Sequence, residues 1–453
     1  MKKKDSIIKG IVNSVLPVIL AFAFGAIIIA AIGESPLETY GVLIRKSLLT
    51  EKGFMNTLHY ASPLILTGLA IAITFKANLY NMGVEGQMLL GGFFAGITGA
   101  YLNISNPFIS KLICFLVAIV CGMLFALIPA ILKAKCNVNE MVVTLMLNYA
   151  VSKTLEFLTT GVFKDKSAGY VATPTIKENV MFKRFGASRM TMFFVIAMII
   201  LVIMYFVMKK SKLGYEITAI GKNPEFAEAT GMNVGKKIII MMLISGALSG
   251  VAGAGWMLSD QFKYTLTFSA NPGLGWDGML IALLGGHSPI GILIAAIFYA
   301  ALKTGSDSIN MYTAVPKEIV AIIQGMIILF LAVKFIGDKT SVYIAVLIGA
   351  FCCALAGINL SMERMAMFTS DMTAGRGFIA IAAIYCGQGK PVQSSLYAIL
   401  FGVARSLAVN LSVYAGPAAG MFDTIPYIIM VAVLAVVSFM KFKDVKVRGY
   451  KFD

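Results

Sequence analysis

Between residues 80 and 92 the chain reads YNMGVEGQMLLGG, which sets an acid, Glu85, and two amides, Asn81 and Gln87, among glycines in an otherwise apolar run. A carboxylate well inside a bilayer costs about 2.5–3.5 kcal/mol on insertion scales, so it faces the bundle interior, a wet cavity or an interface. Such polar groups need partners, and contact with a translocated solute is the chemistry they suggest. Gly83, Gly86, Gly91 and Gly92 serve close helix packing as readily as solute contact. Residues 137–149, NVNEMVVTLMLNY, place Asn139, Glu140, Thr144 and Asn148 at helical spacing. That spacing fits a polar stripe facing a pore, or a set of helix-to-helix hydrogen bonds. Asp260, Asn271 and Trp276 are candidates for the mouth of a path, and Trp276 also suits an interfacial anchor.

Other chemistries lack material. No G-x-x-x-x-G-K-[ST] phosphate loop occurs. The 2 histidines, His59 and His287, make no metal cluster, and the 6 cysteines (Cys114, Cys121, Cys136, Cys352, Cys353, Cys386) have neither metal-ligand spacing nor a disulfide framework. No nucleophile and base pair is evident. The expectation is a chain that is not an enzyme and binds no cofactor, any ATP-Mg residing on another subunit.

The elements that position these residues follow from composition. At 58% hydrophobic and 13% charged over 453 residues, the chain is too apolar to cover a soluble surface. Residues 14–32, 110–132 and 190–208 are each long and apolar enough to cross the hydrocarbon as helix. Continuous rather than alternating apolar runs exclude a β-barrel. An all-α polytopic membrane protein is expected, with about 10–13 membrane segments. The net charge of +16 sits at the ends of apolar runs and forms no stripe, so it reads as loop charge and not as a nucleic-acid surface. Lys2, Lys3, Lys4 and Lys9 precede an apolar run read as an uncleaved anchor. Both termini are then cytoplasmic, an assignment that four basic clusters satisfy and that residues 160–189, with Lys164, Lys166, Lys177, Lys183, Arg184 and Arg189, oppose.

Parity makes residues 276–304 a hairpin that enters and leaves on the external side, broken at Gly285-Gly286-His287-Ser288-Pro289. Its first arm spans only about half of the hydrocarbon, which is tolerated where it is buried in protein or lines a cavity. The pattern recurs: GLGWDGMLIALLGGHSP (273–289) and GRGFIAIAAIYCGQGKP (375–391) align without a gap, pairing Gly273 with Gly375, Trp276 with Phe378, Gly285 with Gly387 and Pro289 with Pro391. Flanking matches make this a duplication, with a second broken half-membrane hairpin near 376–409. In residues 211–237, Asn223-Pro224 signals a helix start and Gly231 its end. That short cytoplasmic helix serves as a connector or as a plug for a soluble partner.

FKANLYNMGVEGQMLLGG, NEMVVTLMLNY, GYEITAIGKNPEFAEATGM, ISGALSGVAGAG and GLGWDGMLIALLGG together resemble the permease family of ABC importers for ribose-type sugars, nucleosides and branched-chain amino acids, most of all its nucleoside branch. The resemblance covers nearly all of residues 1–337. It implies that residues 222–231 form a coupling helix docking on an ABC ATPase, with Gly221, Asn223, Pro224, Ala227 and Gly231 on the family pattern. It also implies a substrate path around Asn81, Glu85, Gln87, Asn148 and Trp276, alternating access, a paired second permease and an extracytoplasmic substrate-binding lipoprotein in the cell membrane. Residues 338–453, through SMERMAMFTSDMTAGRGFIA above all, resemble the C-terminal part of the second permease of such a pair. That expectation makes the chain an in-frame fusion of a complete permease with a partial one.

Overall fold

The computed structural model describes residues 2–266, 273–316, 318–333, 340–364, 367, 373, 375–414 and 419–444. Asn271, the 337/338 boundary, much of residues 365–374 and the basic residues beyond 444 lie outside these. The described elements are helices: α1 (Lys2–Ala31), α2 (Pro36–Ile44), α3 (Glu51–Phe75), α4 (Val84–Tyr101), α5 (Pro107–Cys136), α6 (Glu140–Thr160), α7 (Phe193–Lys210), α8 (Lys212–Lys222), α9 (Pro224–Ala229), α10 (Val234–Trp256), α11 (Leu274–Leu284), α12 (Pro289–Tyr312), α13 (Glu318–Val333), α14 (Thr340–Ile358), α15 (Arg376–Cys386), α16 (Pro391–Tyr414), α17 (Ala419–Phe422) and α18 (Ile425–Asp444). Among the described residues, 8 helices are long and apolar enough to cross a membrane. Five shorter apolar helices accompany them, at Leu16–Ala31, Leu274–Leu284, Glu318–Ile327, Val346–Met362 and Arg376–Cys386. The all-α polytopic expectation holds.

Helix starts follow local chemistry. The side chains of Thr50, Asn106, Asn139, Ser211, Asn223 and Asn233 each accept a backbone N–H from the first turn of the helix that follows, the usual way of satisfying an orphan donor there. Glycines set how closely two of the helices meet. A Cβ on Gly91 of α4 would lie 2.8 Å from the Cα of Gly250 in α10, and one on Gly92 would lie 3.1 Å from the carbonyl oxygen of Gly253. Backbone therefore meets backbone, as small residues allow in membrane bundles.

Two compact units emerge, one comprising Met1–Leu49 and Leu302–Gly377, the other Thr50–Ala301 and Phe378–Asp453. In the first, α1 packs against α13. The Tyr40 hydroxyl donates to the carbonyl of Phe22 at 2.7 Å, and the Lys46 ammonium lies 3.9 Å above the Tyr312 ring.

The second unit holds every described residue singled out above for solute contact or coupling. At one end of its bundle the turn after α3 meets α8, the Asn78 side-chain amide donating to the carbonyl of Gly221 at 2.7 Å. At the other end lie residues 160–189, the basic loop at odds with its neighbours in the sequence. The loop is tied down there: Ile176 N–H donates to the carbonyl of Phe262 at 2.9 Å, Lys111 Nζ to that of Asn179 at 2.8 Å, and Arg189 to the Tyr60 hydroxyl at 2.9 Å. Two more of its cations have local contacts: Lys177 donates to the Asn103 side-chain oxygen, and Arg184 lies 5.9 Å above the Phe262 ring.

The duplication extends to individual backbone hydrogen bonds. Both α11 and α15 have 11 residues, and α12 and α16 have 24 each. Gly285 N–H bonds the carbonyl of Ile281, as Gly387 bonds that of Ala383, both at 2.9 Å; His287 bonds Ala282 as Gly389 bonds Ile384, at 2.9 and 3.0 Å. The left-handed pair Gly286 (φ 57°) and His287 (φ 55°) recurs as Gln388 (φ 56°) and Gly389 (φ 72°). Each hairpin breaks where the sequence placed the break. Only the first arm is short: 24 residues of helix rise about 36 Å, so the second arm of each is a full span rather than a half one.

Candidate translocation path and coupling segment

Two re-entrant features frame the polar cluster. After α3 the chain turns back into the bundle, so that Asn81 is fully buried and donates to the Ser245 hydroxyl at 2.8 Å. Ser245 in turn donates to the carbonyl of Ala70 at 2.6 Å. Ala70 lies inside the end of α3 at Phe75 by about 7 Å of helix rise. Helix α4 thus begins within the bundle rather than at its surface. Asn81 and Gln87 also exchange side-chain hydrogen bonds at 3.3 Å.

The stripe on α6 holds this entry in place. Glu140 accepts from the N–H of Tyr80 at 3.1 Å, Thr144 from that of Met82 at 3.1 Å, and Asn148 from that of Gly86 at 3.0 Å. Asn148 also donates to the carbonyl of Met82 at 2.7 Å. Of the two readings of the helical spacing, hydrogen bonding between segments describes these contacts. One side of α6 satisfies backbone groups of the turn before α4 and of its first turn, as buried amides require. Glu140 additionally pairs with Lys133 at 2.9 Å.

Glu85 is 1% exposed. Its carboxyl group accepts the N–H of Gly273 at 3.0 Å and that of Gly275, capping the start of the half-length helix α11. A carboxylate at a helix N-terminus satisfies orphan donors and faces the positive end of the helix dipole. Gly275 is required for this approach, because a Cβ there would sit 2.6 Å from the Glu85 backbone nitrogen. Next in sequence, Trp276 is half-buried. Asp277 accepts the Tyr299 hydroxyl at 2.6 Å, tying α11 to α12.

The five residues proposed from sequence thus form one contiguous constellation: Gln87 on Asn81, Asn148 on the N–H of Gly86, and Glu85 on the strand of backbone that carries Trp276. In this conformation Asn81, Glu85, Gln87 and Asn148 are covered. Sequence reading missed Ser245, Asp277 and Tyr299. Ser245 sat in a glycine stripe where a small hydroxyl reads as packing, and Tyr299 in an apolar run.

The candidate coupling segment is shaped by the residues expected there. Asn223 accepts the N–H of Phe226 at 2.9 Å, Pro224 fills the first turn of α9, and Gly231 ends the segment at φ +85°. The helix starts at Pro224, where the Asn223-Pro224 signal puts it, because proline is preset for a first turn. Gly221 lies against the backbone of Lys76 and Ala77. Ala227 is fully buried, whereas Phe226 is 64% exposed. The outward surface of α9 is therefore made by a residue the sequence did not single out. Nearby, burial and then the neighbouring Lys209 push the Lys76 ammonium below its usual value, and Glu216 pairs with Lys237 at 2.6 Å.

A multi-pass helical bundle with a re-entrant polar core and a short capped helix at one end is the architecture of a polytopic membrane protein. Residues 53–332 match the family described as "Branched-chain amino acid transport system / permease component", and the chain belongs to that family. It is 34% identical over 337 residues to the nucleoside ABC transporter permease protein NupB of Lactococcus lactis subsp. cremoris, covering 71% of this chain and 90% of that one. Identity to the guanosine ABC transporter permease protein NupP of Bacillus subtilis is 34%, over 71% of this chain and 92% of the relative. For the glucose ABC transporter permease protein TsgB13 of Haloferax volcanii it is 33%, over 70% and 86%. No solved structure matches the chain.

Proposed function

We propose that the chain is the membrane-spanning permease subunit of an ATP-driven ABC importer of nucleosides, purine nucleosides above all. The similarity to nucleoside and guanosine permeases over more than 300 residues carries this reading. Solute passes by alternating access along the track of Asn81, Gln87 and Asn148, beside Glu85 and Trp276. Hydrogen-bonding side chains inside an apolar bundle suit a polar solute with a flat ring. ATP-Mg is held and hydrolysed by a separate ATPase subunit, which docks on α9 around Phe226. A substrate-binding lipoprotein delivers the solute at the opposite end, beside residues 160–189. The chain lies in the cell membrane with both termini in the cytoplasm. Residues 1–337 make one complete permease and residues 338–453 the partial second one, and a separate second permease completes the pair.

Uptake of labelled guanosine into vesicles holding this chain with its ATPase, a second permease and the binding lipoprotein tests the reading. Uptake that needs ATP is expected. Uptake driven by an ion gradient without ATP would replace it with a secondary carrier. The glucose permease relative supports a second reading, import of a sugar; competition by unlabelled glucose but not by inosine would favour it.

A further inference from the structure

The C-terminal helices are packed onto the first permease, and the manner of packing is informative. Ala382, Ala383, Cys386, Phe401, Tyr427, Met430 and Leu434 are buried in one cluster with Val138, Val142, Met146 and Ala150. The Tyr149 ring of α6 stacks on Tyr427 of α18 at 5.5 Å and 17°, and meets Phe378 of α15 at 5.6 Å. Trp276 stacks on Phe378 with centroids 5.8 Å apart and planes 17° from parallel.

Trp276 and Phe378 occupy the same position of the two repeats. A residue that touches its own counterpart lies beside an axis relating the two copies; in pairs of like chains this is the mark of an isologous, two-fold contact. A duplicated segment stacked serially along a solenoid touches through unlike faces instead. The two hairpins therefore meet as halves of a pair meet.

We propose that α15, α16 and α18 are a built-in stand-in for a partner permease. They occupy the face of α6 and α11 at which a separate permease chain would pair, so the full chain engages such a partner there only when the tail is displaced. This rests on reading the chain as one half of a permease pair. The stand-in touches Trp276, so it sits against the candidate path rather than on a remote lipid-facing surface. Tethering favours it: a segment on the same chain acts at an effective concentration of about 1 mM, roughly a thousandfold above a partner at about 1 μM.

The test is photocrosslinking in the full chain, in its native membrane, with benzoylphenylalanine replacing Phe378 and, in a second variant, Tyr427. Adducts are mapped by mass spectrometry, and a second copy of this chain, differently tagged and co-expressed, reports contacts between chains. Adducts within one chain are expected, from position 378 to the peptides holding Trp276 or Tyr149 and from position 427 to that holding Tyr149. Adducts mainly between chains, or to lipid alone, at both positions would overturn the proposal. Guanosine uptake read from the same membranes separates the two failures. Adducts within one chain without ATP-dependent uptake would leave the packing intact and remove the import reading, whereas adducts between chains with intact uptake would remove only the stand-in.

Discussion

Replacing Glu85 by alanine discriminates between a structural and a solute-binding role for this side chain. Its carboxyl group accepts two backbone N–H groups at the start of α11 and is 1% exposed, so its removal leaves both donors without their acceptor. A buried donor left unpaired costs about 1–3 kcal/mol, so stranding both in Glu85→Ala costs about 2–6 kcal/mol of stability. Glu85→Gln keeps one acceptor oxygen and so strands only one of the two donors. Reversible unfolding of the purified chain in mixed micelles measures the loss directly, and proteolysis within 273–288 reports whether α11 has come loose. Both variants should lose stability in that order, with uptake falling in proportion to the folded fraction. A Glu85→Gln variant of native stability with a raised KM for nucleoside would refute the capping argument and make Glu85 a solute ligand.

The remaining predictions concern neighbouring contacts. Gly275→Ala places a methyl group 2.6 Å from the Glu85 backbone nitrogen, so it should destabilise by about 1–3 kcal/mol in the same unfolding assay. Asn148→Ala strands the N–H of Gly86 and the carbonyl of Met82, costing about 1–3 kcal/mol for each buried group left unpaired; wild-type stability would show that α6 does not hold the re-entrant entry. Phe226→Ala should weaken ATPase capture about tenfold or more without changing the melting of the permease, as expected of an exposed aromatic anchor worth about 1.4 kcal/mol. Ala227→Asp buries a charge beneath α9 and should disturb folding itself, so a correctly folded Ala227→Asp variant with normal capture would refute the inward placement of that residue.

Much of the molecule was legible because membrane helices obey rules that act between sequence neighbours. Length and apolarity mark the spans. Asn223, Pro224 and Gly231 delimit α9 through local capping and backbone preference. The 273–289 and 375–391 segments could be aligned residue by residue, and their turns share the same hydrogen bonds. The need for partners around Asn81, Glu85 and Gln87 was equally plain, since a buried polar group without one is costly.

Which partners they take was a different matter. Glu85 meets Gly273 across 188 residues of sequence, and Asn81 meets Ser245 across 164; nothing in the neighbourhood of either end specifies the other. The same holds for Ala227, whose family position suggested docking while packing turned it inward and left Phe226 outside. The sequence by itself determined a polytopic helical membrane protein with two copies of a broken hairpin, because hydropathy, caps and turns are short-range properties. Only the tertiary structure decided that one acid caps a half-length helix, that the α6 stripe pins a re-entrant loop, and that Trp276 lies against its own counterpart Phe378. Those contacts depend on which helix faces close on one another, and that is settled by packing over the whole bundle.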